Sequence, residues 1–326
     1  MIGLLRRIRA AGVLTMNQRN AEFISEYNNR RHYPLVDDKL RTKQLAQDAG
    51  IRVPELYAVI EIERQIRQLP MLLEDRADFV VKPAHGAGGS GIMVVAGKQR
   101  GHFRRPSGTV ITTDALGHHI SNILSGMHSL GGRPDKAVIE QRVHFDPLFD
   151  PISHGGVPDI RTVVFLGMPV MTMVRLPTSA SDGKANLHQG ALGAGVDLAT
   201  GYTTTAVCRD RPIIWHPDTG APIAGVRIPG WEELLVLAAR CHALGQLGYL
   251  GVDIVLDRNQ GPMMLELNAR PGLSIQLANR ASLLHRLRRV EALTNIPEAA
   301  EDRVALAREL FAADEKHAEN EVRGAS

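Results

Sequence analysis

The sequence contains few cysteines, few aromatic residues and no long apolar run. Cys208 and Cys241 are the only cysteines among 326 residues, which excludes a disulfide scaffold and a cysteine-based zinc site and is typical of a reducing compartment. Aromatic residues make up 4% of the chain and do not alternate with a basic face, as they do in many single-strand nucleic-acid binders. No apolar run approaches the ~18 residues of a membrane span. We therefore expect a cytoplasmic protein that binds no nucleic acid.

The overall charge is nearly balanced, but it is uneven along the chain. Lysine and arginine total 38 and aspartate and glutamate total 35, which leaves a net charge of +3. Residues 1–36 hold six arginines and two glutamates, whereas residues 297–326 hold four basic and eight acidic residues. We interpret these ends as a solvated basic head and a solvated acidic helical tail. Binding of the head to an anionic partner, or to the tail, is the alternative.

The length predicts two lobes, and the sequence pattern predicts an α+β fold with largely antiparallel sheets. Apolar periodicity and the positions of glycine and proline indicate four helices, at residues 38–49, 114–130, 231–247 and 300–318. Alternation and short apolar runs indicate seven strands, at residues 78–82, 91–95, 137–140, 160–166, 169–176, 251–256 and 262–268.

A glycine-rich segment follows the first of these strands. The strand ends in Lys82, and four glycines follow it: Gly86, Gly88, Gly89 and Gly91. Such a segment can present backbone N–H groups to a polyphosphate, and Lys82 would add a positive charge. The pattern is neither a P-loop nor a dinucleotide fingerprint, because it lacks GxxxxGK[ST] and no long helix follows. A flexible hairpin is the alternative interpretation.

Residues 251–272 predict a hairpin with clustered oxygen ligands. If the turn is centred between Asn259 and Gln260, Asp253 lies opposite Glu266, and Asn268 lies two positions further on the same face. Two carboxylates and an amide oxygen suit Mg²⁺ or Mn²⁺. The alternative, a solvated polar face, would gain nothing from two facing carboxylates.

Two arginines lie on the neighbouring predicted hairpin. With its turn at Gly167–Met168, Arg161 falls opposite Val174, so that Arg161 and Arg175 are diagonal or on opposite faces. The spacing alone therefore does not establish a shared site, and surface arginines are an equal alternative.

The order of six segments resembles the ATP-grasp superfamily of carboxylate–amine ligases. The resemblance covers roughly residues 17–290 and is greatest to the α-L-glutamate ligase-related branch, relatives of ligases that add glutamate to a ribosomal protein. The segments are DKLRTKQLAQDAGIRVPEL (38–56), FVVKPAHGAGGSGI (79–92), VIEQRV (138–143), DIRTVVF (159–165), ANLHQGA (185–191) and GVDIVLDRNQGPMMLELNARPG (251–272).

This resemblance implies how a nucleotide would be bound. Lys39 and Lys82 resemble the nucleotide-contacting lysines of the family, with Lys82 at the phosphates. The closing loop would comprise Gly86, Gly88, Gly89, Ser90 and Gly91. The hinge that reads adenine through backbone groups would comprise Glu140, Gln141, Arg142 and Val143.

The resemblance also implies a metal site and a reaction. Asp253, Glu266 and Asn268 match the metal ligands of the family one for one, which implies that they hold two Mg²⁺ or Mn²⁺ ions. ATP would convert a carboxylate into an acyl phosphate, which an amine then attacks to form an amide. Arginines placed to bind phosphate or the substrate carboxylate are Arg161, Arg175 and Arg270.

We predict that the chain consists of a basic segment at 1–37, an ATP-grasp domain at 38–295 and an acidic helical tail at 296–326. Within the domain, a small lobe would span about 70–142 and a larger lobe about 143–295. Related ligases usually have about a hundred residues before the DK motif, and only 37 precede it here. We therefore expect residues 17–34, a partner chain or a second copy to help build the substrate site, with candidate substrate residues Arg19, Arg30, Asn186 and His188.

The identities of the acid and the amine stay open, as does the oligomeric state, and glutamate is one candidate substrate among several. Two further functions are also open: an ATP-grasp kinase, which would phosphorylate its substrate without needing an amine, and a nucleotide-binding module without ligase activity.

Overall fold

The computed structural model describes residues 12–86, 89–129 and 131–323, with side chains through residue 312. Its strands form three sheets. The strands are β1 (Leu56–Ile60), β2 (Phe79–Pro83), β3 (Met93–Val95), β4 (Gly97–Gln99), β5 (His102–Arg104), β6 (Val110–Ile111), β7 (Ala137–Glu140), β8 (Asp159–Phe165), β9 (Met168–Leu176), β10 (Leu192–Val196), β11 (Thr203–Cys208), β12 (Arg211–Ile213), β13 (Tyr249–Asp257) and β14 (Gly261–Asn268).

Six α-helices of at least six residues pack around these sheets: α1 (Lys39–Asp48), α2 (Thr113–Leu124), α3 (Trp231–Gly245), α4 (Ser274–Asn279), α5 (Leu283–Glu291) and α6 (Ala300–Arg323). The other helical segments of the described residues are Met16–Gln18, the π-helical Arg19–Ile24, Ser25–Tyr27, Arg30–His32, Pro34–Asp37, Glu63–Gln68, Leu69–Leu72, Pro147–Ile152, Ser179–Ser181 and Leu187–Gln189. The helix predicted at 114–130 ends early, at Leu124, because the chain turns through Gly126 with φ +85°.

The sheets are antiparallel and confirm the predicted α+β class. A four-stranded sheet has the order β1-β7-β2-β3, and a seven-stranded sheet has the order β12-β11-β10-β9-β8-β13-β14. The strands β4, β5 and β6 form a third, small sheet. Each of the two larger sheets has its own apolar core: Phe79, Leu116 and Ile139 belong to the smaller one, and Val163 and Leu250 belong to the larger one.

Parts of both chain ends are buried, so the interpretation of the basic head and the acidic tail as solvated segments is wrong for those parts. Leu14 and Phe23 are fully buried in the larger core, as are Val304 and Phe311 of α6. The acidic residues of α6 therefore occupy only part of a helix whose apolar side packs on the sheet. Residues 1–11 of the basic head lie outside the described residues.

The β8–β9 hairpin turns one residue earlier than expected. Its turn residues are Leu166 and Gly167, with φ of +50° and +81°, and a bulge follows in β9. Arg161 consequently pairs with Met173, and the expected pairing with Val174 is wrong. Because Arg175 lies two residues beyond Met173, the two arginines share one face of the sheet.

The β13–β14 hairpin confirms the pairing of Asp253 with Glu266. Near the turn Asp257 pairs with Gly261, one position away from the expected register. A bulge between Asp253 and Ile254 shifts the register by one residue and restores the expected pair.

Helix α4 lies directly on strand β10, and this contact generates a test of the packing. A Cβ atom at Gly195 would lie 2.6 Å from the Ala278 carbonyl oxygen and 2.8 Å from the Asn279 Cα. We predict that Gly195→Ala lowers the free energy of unfolding by about 1–3 kcal/mol, because α4 must shift away from the sheet. Gly272→Ala is the control, since nothing lies within 4 Å of its Cβ position. Urea denaturation of both variants measures the effect, and equal stabilities would contradict the prediction.

Candidate active site

One face of the large sheet carries a cluster of buried ionic groups. Arg161 donates from Nε to Oδ1 of Asp253 at 2.7 Å and from Nη2 to Oδ2 at 2.6 Å. Arg175 donates from Nη2 to the same Oδ2 at 2.8 Å and to Oδ2 of Asp159 at 2.6 Å. Neighbouring strands β8, β9 and β13 supply these residues. The register of the β8–β9 hairpin puts Arg161 and Arg175 on one face, and the β8–β13 pairing sets Asp253 opposite Arg161.

Burial and the arginines set the charge of the two aspartates. Burial opposes the charge of Asp253, but Arg161 and Arg175 outweigh it and hold the pKa of Asp253 well below its usual range. Burial raises the pKa of Asp159 to about 6, although Arg175 opposes the shift. Burial also disfavours the Arg175 cation, yet Asp159 and Asp253 raise its pKa overall. Asp253, which has two arginine partners, keeps its negative charge more readily than Asp159.

The donors around Asp253 fit a divalent cation in their chemistry. Asn268 donates from Nδ2 to Asp253 Oδ2 at 3.2 Å, which leaves its own carbonyl oxygen as an acceptor. The Glu266 side chain is 36% exposed and pairs with Asp253 across the hairpin. Oδ2 of Asp253 already accepts three hydrogen bonds, so Oδ1 keeps its second lone pair for a cation.

Among the residues that the structure describes, no group of three or more His, Cys, Asp or Glu side chains is arranged to hold a metal ion. A cation bound here would therefore depend on the amide oxygen of Asn268 and on oxygens from outside the protein, as Mg²⁺ sites often do. The three predicted metal ligands adjoin one another, and their role stays a prediction.

On the small sheet, two lysines bind one buried glutamate. Lys43 Nζ and Lys82 Nζ each lie 2.5 Å from an oxygen of Glu140, whose side chain is 4% exposed. Burial opposes the charge of Glu140, but Lys82 and Lys43 outweigh it and lower the pKa of Glu140. Burial lowers the pKa of Lys43. The sequence analysis did not select Lys43, although it lies one helical turn after Lys39 and so shares a face of α1 with it.

Lys39 connects the glycine-rich segment with the carboxylates of the large sheet. Its Nζ donates to the Gly86 carbonyl oxygen at 2.6 Å and lies 3.7 Å from Oε2 of Glu266. At the other end of the segment, Gly91 has φ +74°, and its carbonyl oxygen lies 3.0 Å from His119 Nε2. The two ends of the segment are therefore anchored by side chains.

The remaining residues of the glycine-rich segment are placed as follows. Gly89 has φ +78°, and a Cβ atom added at this position would lie 3.8 Å from Lys184 Cδ. Ser90 is exposed, and its Oγ lies 3.3 Å from His128 Nδ1. Gly88 lies outside the described residues.

The predicted hinge leaves β7 and connects the two larger sheets. Gln141 N donates to the Glu55 carbonyl oxygen at 2.8 Å, which holds the segment to the chain before β1. Arg142 lies 3.5 Å from Asp78, and Val143 packs against Val255 of β13. Glu140, the first residue of the predicted hinge, instead lies at the end of β7, and its side chain is committed to the two lysines.

The N-terminal segment lies against the loop that follows Asn268. Arg19 is buried and donates from Nη1 to the Pro271 carbonyl oxygen at 2.8 Å. Burial lowers the pKa of Arg19. The exposed Arg270 lies over the ring of Tyr33, with Cζ 4.8 Å from the centroid. Arg19 therefore supports this loop, whereas Arg30 is exposed on a neighbouring turn.

Two further candidate residues lie in the loop before β10. Asn186 accepts a hydrogen bond from His188 N at 3.0 Å and so begins the short helical turn Leu187–Gln189. His188 is exposed.

The family model of sugar-transfer associated ATP-grasp proteins matches residues 18–292. The chain belongs to this family, because the match covers most of its length. Membership in this family confirms that the chain is an ATP-grasp protein with the α+β fold that the sequence resemblance predicted.

Several solved structures are similar to this chain. The ATP-grasp ligase PsnB, complexed with a minimal precursor, is 15% identical, with 81% of this chain and 62% of that chain covered and a TM-score of 0.43. The D-alanine–D-alanine ligase from Bacillus anthracis, complexed with ATP, is 14% identical, with 86% and 67% covered and a TM-score of 0.43. A RimK domain ATP-grasp protein from Sphaerobacter thermophilus DSM 20745 is 15% identical, with 78% and 70% covered and a TM-score of 0.43.

This chain thus spans about 62% of the length of PsnB. At such identities, these similarities carry no conclusion about substrate or mechanism. No curated protein sequence matches the chain. Within the part of the chain that the structure describes, no helix combines the length and apolarity needed to cross a membrane.

The pairing of Glu140 with two lysines generates a stability prediction. Glu140→Gln leaves two buried lysine ammonium groups without their counter-ion and should lower the free energy of unfolding by about 3–5 kcal/mol. The double variant Glu140→Gln with Lys43→Met should recover part of this loss, because one buried charge is removed. Denaturation of the single and double variants measures the coupling. Additive losses would show that the lysines do not depend on Glu140.

Proposed function

We propose that the protein is an ATP-dependent carboxylate–amine ligase that forms an amide bond through an acyl phosphate. The observation that carries this proposal is the position of Lys39. It contacts the Gly86 carbonyl oxygen of the glycine-rich segment and lies 3.7 Å from Glu266. The glycine-rich segment and the cluster of carboxylates and arginines therefore lie close to the same lysine, which supports the transfer of a phosphoryl group to an acid at this place.

The residues of the two sheets have separate tasks in this reaction. Lys82, with Lys43 beside it, supplies positive charge for the ATP phosphates, and residues 141–143 contact adenine through their backbone. Arg161 and Arg175 bind the transferring phosphoryl group, because an arginine fork matches phosphate oxygens. When bound, Mg²⁺ would be held by Asp253, Glu266 and Asn268 and would neutralise phosphate charge.

The reaction proceeds in two steps. An oxygen of the substrate carboxylate attacks the γ-phosphorus, the bond to the bridging oxygen breaks, and ADP leaves. The amine nitrogen then attacks the acyl carbon, the C–O bond to phosphate breaks, and the nitrogen loses a proton to solvent. Closure of the segment Gly86–Gly91 would keep water from the acyl phosphate, since hydrolysis competes with the amine.

The substrates are an acid and an amine of small-molecule or peptide size. The family to which this chain belongs is associated with sugar transfer. Acids that carry a sugar are therefore candidates, beside the amino acids and peptides that the sequence resemblance implies. We place the reaction in the cytoplasm, where ATP is available. We also propose that a second copy or a partner chain helps to build the substrate site.

The first test measures ADP release with Mg²⁺-ATP across a matrix of acids and amines. We expect release that requires both an acid and an amine, with a condensed product by mass spectrometry. Glu266→Ala should abolish this release. Release with the acid alone, together with a stable phosphorylated product, would identify a kinase and refute the ligase.

The assignment of Glu266 as a metal ligand has a readout that does not depend on activity. Glu266→Gln should weaken Mn²⁺ binding at least about 10-fold, because it removes a charged oxygen ligand. Electron paramagnetic resonance of free Mn²⁺ measures the affinity. Glu309→Gln, an exposed acid on α6, is the matched control. Equal Mn²⁺ affinity in Glu266→Gln and the unaltered protein would refute the assignment.

A further inference from the structure

The loop after β14 folds back over the face of the large sheet that carries the arginine cluster. A Cβ atom at Gly251 would lie 2.7 Å from Pro271 Cβ and 3.5 Å from Asn268 Cβ, so Pro271 rests directly on this glycine. Gly251 lies two residues before Asp253 in β13 and points to the same face. At a rise of ~3.3 Å per residue, the two positions are about 7 Å apart. Arg270, the residue before Pro271, therefore extends from backbone beside the cluster.

Two hydrogen bonds from the N-terminal segment fix the backbone on either side of Arg270. Asn28 donates from Nδ2 to the Ala269 carbonyl oxygen at 3.2 Å. Arg19 donates from Nη1 to the Pro271 carbonyl oxygen at 2.8 Å. Both donors are buried. The carbonyl groups of the two residues that flank Arg270 are thus held by buried side chains, which restricts the backbone from which the Arg270 side chain extends.

The guanidinium group of Arg270 lies over an aromatic ring, with its Cζ 4.8 Å from the centroid of Tyr33. Tyr33 packs in turn against the core of the large sheet. Its carbonyl oxygen accepts hydrogen bonds from the N–H groups of Val36 and Asp37, at the beginning of the next helical turn. A cation is attracted to the face of an aromatic ring, so this contact orients the Arg270 side chain without neutralising its charge.

The charge of Arg270 is not balanced by a neighbouring acid. Among the residues that the structure describes, no aspartate or glutamate forms an ion pair with Arg270. Burial lowers the pKa of Arg19, and the charge of Arg270 acts in the same direction, so the two cations repel each other. Arg161 and Arg175, by contrast, are each paired with a buried aspartate. An exposed guanidinium group that is oriented but unpaired fits an anionic group of a ligand.

We propose that Arg270 binds a second anionic group of the acid substrate, and that Tyr33 is the residue that positions Arg270 for this contact. The proposal rests on the ligase function proposed above, in which Arg161 and Arg175 bind the phosphoryl group that is transferred to the reacting carboxylate. The acid is therefore a dianion, which carries a further carboxylate or a phosphate. Because Arg270 is oriented before the substrate arrives, binding costs less conformational entropy.

Labelling with phenylglyoxal, which modifies exposed guanidinium groups, followed by peptide mass spectrometry measures the accessibility of Arg270 directly. The probes are glutarate with its monoamide, and phosphoglycolate with glycolate, all at equal ionic strength. We expect at least one dianion to slow the labelling of Arg270 about 5-fold more than its monoanion does. Glutarate would identify a carboxylate as the second group, and phosphoglycolate a phosphate. The exposed Arg64 is the control in the same digest, and its labelling should not differ between dianion and monoanion.

Variants of Tyr33 test the positioning. Tyr33→Leu should reduce the protection of Arg270 about 2- to 5-fold, because the attraction between the ring and the cation is lost. Tyr33→Phe keeps a ring and should retain the protection. With an acid that supports ADP release, Tyr33→Leu should raise the KM of the acid by the same factor and leave kcat and the KM of ATP unchanged. A purely structural role of Tyr33 would not produce this separation.

Equal protection by dianions and monoanions, or equal protection in Tyr33→Leu and the unaltered protein, would overturn the assignment. ADP release that requires an acid and an amine would still support the ligase in that case. Protection of Arg270 by a dianion, without amine-dependent ADP release, would support the anion site and refute the ligase. No protection and no release would overturn both.

Discussion

The large sheet is organised around the buried carboxylate of Asp253. A charge at this depth is costly unless hydrogen-bonded partners surround it, and Arg161 and Arg175 supply them. The three residues come from three different strands, so the ion cluster requires the register of the β8–β9 hairpin and that of the β8–β13 pairing. Asp159 then balances the second arginine. An anionic ligand at this face would compete with Asp253 and Asp159 for the arginines, and a buried carboxylate that lost its arginine would need another cation as its partner.

The small sheet has a similar arrangement, because one buried glutamate is paired with two lysines. Glu140 orients Lys43 and Lys82 through two ion pairs, and burial lowers the pKa of Lys43. Lys39, one helical turn before Lys43, reaches the other sheet. Helix α1 therefore presents lysines both to the glutamate of the small sheet and to the carboxylates of the large one. Its position relative to β7 and β14 sets the distance between the two clusters of charge.

The sequence predicted the α+β class and the pair of Asp253 and Glu266 in the β13–β14 hairpin, because alternation of apolar residues specifies a face. It placed the β8–β9 turn one residue too late and the β13–β14 register near the turn one position off. In β13–β14 a bulge compensates for this displacement and restores the pair of Asp253 and Glu266. In β8–β9 the displacement changes the face of the sheet, so the shared site of Arg161 and Arg175 could not be predicted. The left-handed conformation of Leu166, which no residue preference signals, is the physical reason.

The burial of Lys43 is a second feature that the sequence could not predict, since it depends on a partner 97 positions away. The packing of the N-terminal segment is a third such feature. Its charge pattern suggested a solvated head, yet Asn28 donates to the carbonyl oxygens of Tyr249 and Ala269, and Arg19 donates to that of Pro271. These bonds hold the start of β13 and the loop after Asn268 in place. The oxygen cluster of Asp253, Glu266 and Asn268 is therefore positioned both by the strand register and by the N-terminal segment. A substitution of Asn28 would act on this cluster without altering any of its three residues.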